Sequence, residues 1–378
     1  MDDACFINFG TRVVNKKDGG SIYPVYGGGG ATFKMDSYNR ENCLVVSRFA
    51  MSKQCTRFVD GKFYLNDSGL TVRPKNEKEL AQEYLDYLLL TLNETIYSFS
   101  RGTAQRNMNV PTFRKLEIKY PDSTDLQLHI ANLLSKAENL IAQRKESIRL
   151  LDEFLKSSFL EMFGDPVRNE KGWEINSLSR FGSLKNGLNY TRSESGVHVR
   201  CLGVGDFKDY SKLTDIESLQ ILNLTSEPNI EYYLNDGDLV FVRSNGNREL
   251  VGRCLLVYPK NEKVTFSGFC IRYRIESKGL NPIFVSHLFR VPIFRTAMLQ
   301  GGKGANIQNI SQQTLEKLKI PTPPIELQTQ FAQIVEKTEV LKNQYQQSLQ
   351  ELQNLYGSLS QRAFKGDLEF SKEVARAE

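Results

Sequence analysis

The 378-residue chain has three histidines and one tryptophan, and its six cysteines (Cys5, Cys43, Cys55, Cys201, Cys254, Cys270) lie far apart without a CxxC pair. That spacing supports neither a zinc site nor a disulfide framework, so no metal site is expected and the cysteines read as buried thiols. No apolar stretch approaches the roughly 20 residues of a membrane span. Met1-Asp2-Asp3 has neither the basic region nor the apolar run of a signal peptide. The expected location is the cytoplasm, with no membrane partner.

Catalytic constellations are also missing. Asn281-Pro282-Ile283-Phe284 has three letters of the turn that holds an adenine amino group in amino-methyltransferases, but its second proline is absent and no glycine-rich cofactor loop precedes it. Neither Gly27-Gly28-Gly29-Gly30 nor Gly301-Gly302-Lys303-Gly304 matches a phosphate-binding fingerprint, and both read as turns. Glu117-Ile118-Lys119 ends like a nuclease carboxylate–lysine pair, yet Glu94 upstream has no Asp-Pro beside it, and the later counterpart Lys319-Ile320-Pro321 has no acid. No catalytic residue is assigned.

What is present is a long helical period, used twice. Over 124–163 the apolar side chains Leu126, Ile130, Leu133, Ala137, Leu140, Ile148, Leu151, Leu155, Phe159 and Met162 keep a three-four spacing broken only at Arg144. Thr124 and Gln127 have capping-box spacing, and Gly164-Asp165-Pro166 supplies the stop. Such a helix would be about 60 Å long and needs a partner along its seam. The partner pattern is Leu327, Phe331, Ile334, Thr338, Leu341, Tyr345, Leu349, Leu352, Tyr356, Leu359 and Ala363, over 325–364.

The segments before the helices also match. Tyr26-Gly27-Gly28-Gly29 answers Leu202-Gly203-Val204-Gly205 at an offset of 176, and Leu44-Val45-Val46-Ser47-Arg48 answers Leu239-Val240-Phe241-Val242-Arg243 at 195. Ser68-Gly69-Leu70 is set against Ser267-Gly268-Phe269 at 199, and Gly102, Asn107, Leu116 and Ile118 against Gly304, Asn309, Leu318 and Ile320 at 202. One fold is therefore present twice. The expected layout is an α/β (α+β) domain over 1–121, a helix over 122–165, a second such domain over 166–324, a helix over 325–365 and a tail over 366–378. The two helices are expected to pair antiparallel as a coiled coil, with the halves related by a pseudo-two-fold. Residues 166–324 carry an insertion of roughly 19 residues between Gly205 and Asp238, and Met1 falls opposite Ser177, leaving the first domain short of one edge element that 366–378 would cover.

Charge follows this layout. The balance is +4 over 1–121 (17 basic, 13 acidic), −3 over 122–165 (5 and 8), +6 over 166–324 (21 and 15) and −2 over 325–378 (6 and 8). A polyanion would meet the globular parts, and the helices would space them. Arg243-Ser244-Asn245-Gly246-Asn247-Arg248 follows a strand and holds the residue types that read guanine and adenine bidentately. Arg48 takes the matching place in the first domain. Arg101, Gln105, Arg106 and Asn107 match Lys303, Asn306, Gln308 and Asn309 on glycine-bearing loops. Arg12, Lys16, Lys17, Lys34, Arg192, Arg200 and Lys208 are candidate phosphate contacts.

Taken in order, Leu234-Asn235-Asp236-Gly237-Asp238-Leu239-Val240-Phe241-Val242-Arg243, Gly304-Ala305-Asn306-Ile307, Leu318-Lys319-Ile320-Pro321-Thr322-Pro323-Pro324 and Glu326-Leu327-Gln328 before the second helix resemble the specificity subunits of Type I restriction-modification systems. The resemblance implies two target-recognition domains, each reading half of a bipartite double-stranded DNA sequence, held apart by antiparallel helices. It implies docking of methyltransferase subunits, two in number, on those helices, and of restriction subunits through the complex. It also implies that the chain is not itself an enzyme, with S-adenosylmethionine, ATP and Mg on the partner subunits. The competing readings are a coiled-coil adaptor that binds only proteins and a self-sufficient methyltransferase.

Overall fold

The computed structural model describes residues 1–190, 196–207, 212–247, 249–300 and 309–365. The chain divides into two compact units, Met1–Glu146 with Gln346–Glu378, and Ser147–Tyr345, so each unit takes a part of both long helices.

Unit 1 contains β1 (Cys5–Phe9), α1 (Asn15–Asp18), β2 (Tyr23–Gly27), β3 (Gly30–Met35), β4 (Arg40–Ser47), β5 (Thr56–Leu65) and β6 (Gly69–Pro74). There follow α2 (Gln82–Thr91), α3 (Asn93–Ser98), β7 (Ser100–Arg101), β8 (Asn107–Met108), α4 (Val110–Arg114) and the start of α5 (Thr124–Phe163). Six strands form one sheet in the order β1-β6-β4-β5-β2-β3, antiparallel except for the β2–β5 pair. Alternation along β4 sends Leu44 and Val46 to the helices and Val45 to a smaller cluster with Val59, Phe63 and Leu65. α2 begins at Gln82, after a turn in which Leu80 N donates to Asn76 O.

Unit 2 contains the end of α5, β9 (Glu174–Ser177), β10 (Gly182–Asn186), β11 (Val197–Leu202), β12 (Lys212–Leu213), β13 (Gln220–Leu224), β14 (Asp238–Val242), β15 (Cys254–Val257), β16 (Val264–Phe266) and β17 (Cys270–Ile275). The helices α6 (Pro282–Arg290), α7 (Pro292–Gln300) and α8 (Gln312–Glu316) precede β18 (Lys319–Thr322) and α9 (Ile325–Lys365). The counterpart of the long β5 is broken here into β15 and β16. One sheet thereby becomes two, β10-β17-β14-β15-β12 and β13-β11-β16. β12, inside the expected insertion, pairs parallel with β15. β14 is buried on both faces, with Leu239 and Phe241 in one core and Val240 and Val242 in another.

Backbone hydrogen bonds establish the repeat. Thr11 N to Leu65 O, Gly10 N to Gly69 O and Lys75 N to Ala4 O in unit 1 recur as Leu188 N to Phe266 O, Gly187 N to Cys270 O and Glu276 N to Phe181 O in unit 2. These pairs fix an offset of 177 for β1/β10 and 201 for β6/β17. The sequence pairing of Ser68 with Ser267 at 199 is therefore two residues out of register: Ser68 matches Phe269. A two-residue slip keeps every side chain on its own face, so the apolar pattern does not detect it.

Met1 matches Leu178: its amino group donates to Leu116 O, as Leu178 N does to Leu318 O. In unit 2 the segment after Leu318 forms β18 and pairs with β9. In unit 1 the matching Glu117-Ile118-Lys119-Tyr120 has no strand partner among the described residues. The residues expected to cover it, 366–378, lie outside the described residues.

The expected Thr124–Gln127 capping box is not formed. Ser123 Oγ accepts from Leu126 N, while the Thr124 hydroxyl donates to Lys78 O. Gln127 is fully buried and joins three strands of chain: Nε2 donates to Glu79 O and Pro121 O, both at 2.7 Å, and Oε1 accepts from Ala81 N at 2.8 Å. Gln328 repeats this at the start of α9, with Gly279 O, Pro323 O and Asn281 N. At the other end of α5, Gly164 has φ +75° and its N–H returns to Leu160 O, and Trp173 Nε1 donates to Phe163 O at 2.8 Å.

Within each unit the helix segments run antiparallel. In unit 2 Asp152 pairs with Lys342, and Phe159 and Phe163 meet Phe331. In unit 1 Glu138 accepts from Tyr356 and Tyr87, and Tyr84 packs on Phe364 as Phe284 packs on Phe163. The seam differs from the expected one. Ile130, Leu134 and Ala137 are buried, Leu133 is half-buried, and Leu140 is 50% exposed. Leu126, Leu327, Ile334 and Leu359 pack against the cores, and Leu155 and Phe331 are inside them. Ile148, Leu151, Leu341 and Leu352 are half-buried. Two helices alone cover only one side of each other, so full burial occurs where a domain adds a third surface.

Candidate nucleic-acid interface

In unit 1 the end of β4, the turn before β6 and the end of β8 are stitched through one residue. Arg48 N donates to Ser68 O at 2.8 Å, and Arg48 O accepts from Met108 N at 2.7 Å. Phe49 N adds a 3.3 Å bond to Ser68 O. In unit 2 Arg243 N donates to Phe269 O at 2.8 Å, Arg243 O accepts from Ile310 N at 2.9 Å, and Ser244 N lies 3.4 Å from Phe269 O. Each unit thus fixes an arginine backbone at the junction of three segments, on rigid strand ends. Side chains on such a frame keep their aim toward a ligand.

The two arginines are held differently. Arg48 sits between two rings, its guanidinium carbon 4.9 Å from the Phe9 centroid and 4.5 Å from that of Phe49. Among the described residues the Arg243 guanidinium has no hydrogen-bond partner. The next residues, Ser244 and Asn245, line a cavity of about 700 Å³ together with Tyr190, Asp206, Gln220 and Phe269. Cys201, also in the lining, is no nucleophile, because burial first and the Asp206 carboxylate second push its thiol up to about 12.

The other candidates fall into three groups. Arg101 and Asn107 face each other across the β7–β8 pair, Gln105 is exposed in the connecting loop, and Arg106 stacks over Tyr97 at 5.2 Å. Asn107 Oδ1 accepts from Ala50 N, which ties this hairpin to the Arg48 segment. In unit 2 Asn245 Oδ1 accepts from Asn247 N, and Asn247 Oδ1 from Glu249 N. Their oxygens therefore shape the loop, and the Asn245 amide Nδ2 is what the turn leaves for a base. Arg12, Lys16, Lys17 and Lys34 are exposed around α1 and β3, away from the arginine junction in sequence, and Arg200 donates to Glu217 O. Arg192, Lys208, Arg248, Lys303, Asn306 and Gln308 lie outside the described residues. Phe9, Phe49, Tyr190, Gln220 and Phe269 were not picked out from sequence, since single aromatic and amide letters carry no signal until the fold gathers them.

The family description "Type I restriction modification DNA specificity domain" matches residues 38–150 and 185–353, three quarters of the chain and both repeats. The chain belongs to this family. It is 25% identical over 295 residues to the Type I restriction enzyme EcoKI specificity subunit of Escherichia coli K12, covering 72% of this chain and 62% of that protein. It is 23% identical over 316 residues to the StySPI specificity subunit of Salmonella potsdam, 77% of this chain and 66% of that protein. The chain thus spans less than two thirds of the length of either relative. A crystal structure of a Type I restriction-modification S subunit from M. genitalium superposes with a TM-score of 0.60 at 17% identity, covering 98% of this chain and 95% of that one. A structure described for complex assembly and conformational transition of the type I system gives 0.60 at 16% identity, with 97% of each chain covered. The specificity-subunit fold is thereby shown, with two mixed α/β copies and two long helices. Among the described residues no His, Cys, Asp and Glu cluster could hold a metal, and no helix is long and apolar enough to cross a membrane.

Proposed function

We propose that this specificity subunit reads a bipartite duplex DNA target, one half-site per unit, and docks methyltransferase subunits on its helices. The observation that carries the reading is the three-segment junction with an arginine at its centre, present in both units. Arginine on a fixed backbone is the side chain suited to a guanine edge, and the lysines and arginines around it to phosphates. The helices carry no excess of positive charge, with five basic and six acidic residues on α5 and four of each on α9, and α5 leaves Leu150 and Phe154, four residues apart, about half exposed, a surface that favours a protein partner over DNA. In this reading the chain supplies recognition and no bond-making step. S-adenosylmethionine belongs to the methyltransferase subunits, and ATP and Mg to restriction subunits that join through them.

The test is to expose random-sequence DNA to the chain with its cognate methyltransferase and map methylated adenines. Methylation confined to one split sequence is the expected result. Methylation scattered without a split sequence, or methyl transfer by this chain alone, overturns it.

A further inference from the structure

We propose that Phe269 is a specificity-determining residue of unit 2, packing its ring on a thymine 5-methyl group in the major groove; the proposal rests on the DNA-reading function above. Phe269 is 62% exposed although it lies between Ser267, 7% exposed, and Cys270, fully buried. Its backbone is held from both sides. Its carbonyl accepts from Arg243 N and Ser244 N, its N–H donates to Ser267 Oγ at 3.3 Å, and the preceding Gly268 N donates to Leu188 O at 2.9 Å. The phenyl thus stands out from an anchored turn, and a side chain on such a frame keeps its aim.

Its surroundings say what it is aimed at. Phe269 lines the cavity that also holds Asn245, whose Nδ2 is left to donate, and Gln220, whose amide can donate and accept. An apolar face beside hydrogen-bonding amides is the chemistry of a major-groove edge, where donors and acceptors adjoin the thymine methyl. The minor groove has no methyl. In unit 1 the matched position is Ser68, and the rings near Arg48 belong to Phe9 and Phe49, which are spent on the guanidinium. The apolar contact is therefore expected in one half-site only.

The experiment selects duplexes randomised in both halves with the full chain bound to its methyltransferase partner, comparing wild type, Phe269→Ala and Phe269→Leu. Phe269→Ala is expected to lose a thymine preference of about fivefold or more at one position of one half-site, with the other half unchanged and Phe269→Leu retaining much of it. Replacing that thymine by uracil should weaken wild type and leave Phe269→Ala unaffected. Because Phe269 is exposed, thermal melting should be unchanged. An unchanged selection, a uniform weakening over all sequences, or an equal uracil effect on Phe269→Ala overturns the proposal. Failure of wild type to enrich any split sequence overturns the DNA reading itself, which separates the two failures.

Discussion

Unit 1 and unit 2 share one hydrogen-bond skeleton and differ at the side chains hung on it. Ser68 stands where unit 2 has Phe269, and Phe49 where it has Ser244. Asp86 in α2 stands where α6 has Ser286, and Tyr87 where it has His287. The backbone ladder survives these exchanges because its donors and acceptors are main-chain groups, indifferent to the letter they carry. A duplicated fold can thus change its surface chemistry without changing how it is built.

The first way to break that equivalence is through the buried glutamines. Gln127→Leu and Gln328→Leu each take the amide partner from one N–H and two carbonyls, some buried and some partly open to water, and each should cost about 4 kcal/mol at most. If the units are copies, the two losses in urea unfolding should be similar, and hydrogen exchange should place each in its own unit. A loss confined to one variant would show that the skeleton is shared in geometry alone.

Asp86 tests the exchange in α2. Burial raises its carboxyl to about 7, with the Gln82 amide opposing as donor. The native state therefore holds a proton that the unfolded chain releases near 3.8. This group's contribution is full below that pH and is lost as pH rises toward 7. Asp86→Asn keeps an acceptor for Gln82 and removes the charge. It should match wild type near pH 4 and exceed it at pH 8 by on the order of 3 kcal/mol, read as urea unfolding against pH. In unit 2 Ser286 stands at that place, and the next residue, His287, has its imidazole held down to about 3 by burial first and by Arg290 second, so α6 should give a slope of the opposite sign, stability rising with pH up to about 6.5.

How much of this was legible in the letters depends on the range of the contact. The helix pair was readable because its period is local, and the start of α9 and the Gly164 stop followed from nearby residues. The Arg48/Arg243 match was readable because strand and arginine are adjacent in sequence. Gln127 was misread as a cap because its true partners, Glu79 and Ala81, are more than forty residues away, and spacing rules see one turn. Phe269 was aligned with Leu70 because Ser-Gly precedes both, and only the ladder reveals the slip.

The arginines sharpen the reading comparison. Arg243→Ala is expected to relax base choice in one half-site by about 1 to 3 kcal/mol, and Arg48→Ala in the other. Arg48 is pre-set by Phe9 and Phe49, so Phe49→Ala should lower its half-site discrimination as well, by about 0.5 to 1 kcal/mol. Competition binding with single-base variants of each half measures all three. Equal losses over every sequence would move both arginines to the phosphate contacts.

The smallest effect, that of Leu140→Ala, comes from the helix seam, where expected and observed burial part company. Leu134 is 1% exposed and Leu140 50%. Leu134→Ala removes packing from the unit 1 core and should cost about 3 kcal/mol, whereas Leu140→Ala should change the stability of the free chain by under about 0.5 kcal/mol. A regular coiled coil with a continuous dry seam would penalise both alike. Separate values, measured by thermal unfolding, would show that a helix residue is secured by the domain packed on its own stretch and not by the seam alone. Leu140→Ala, Leu150→Ala and Phe154→Ala should instead weaken methyltransferase binding, because residues left uncovered in the free chain are those a partner can bury.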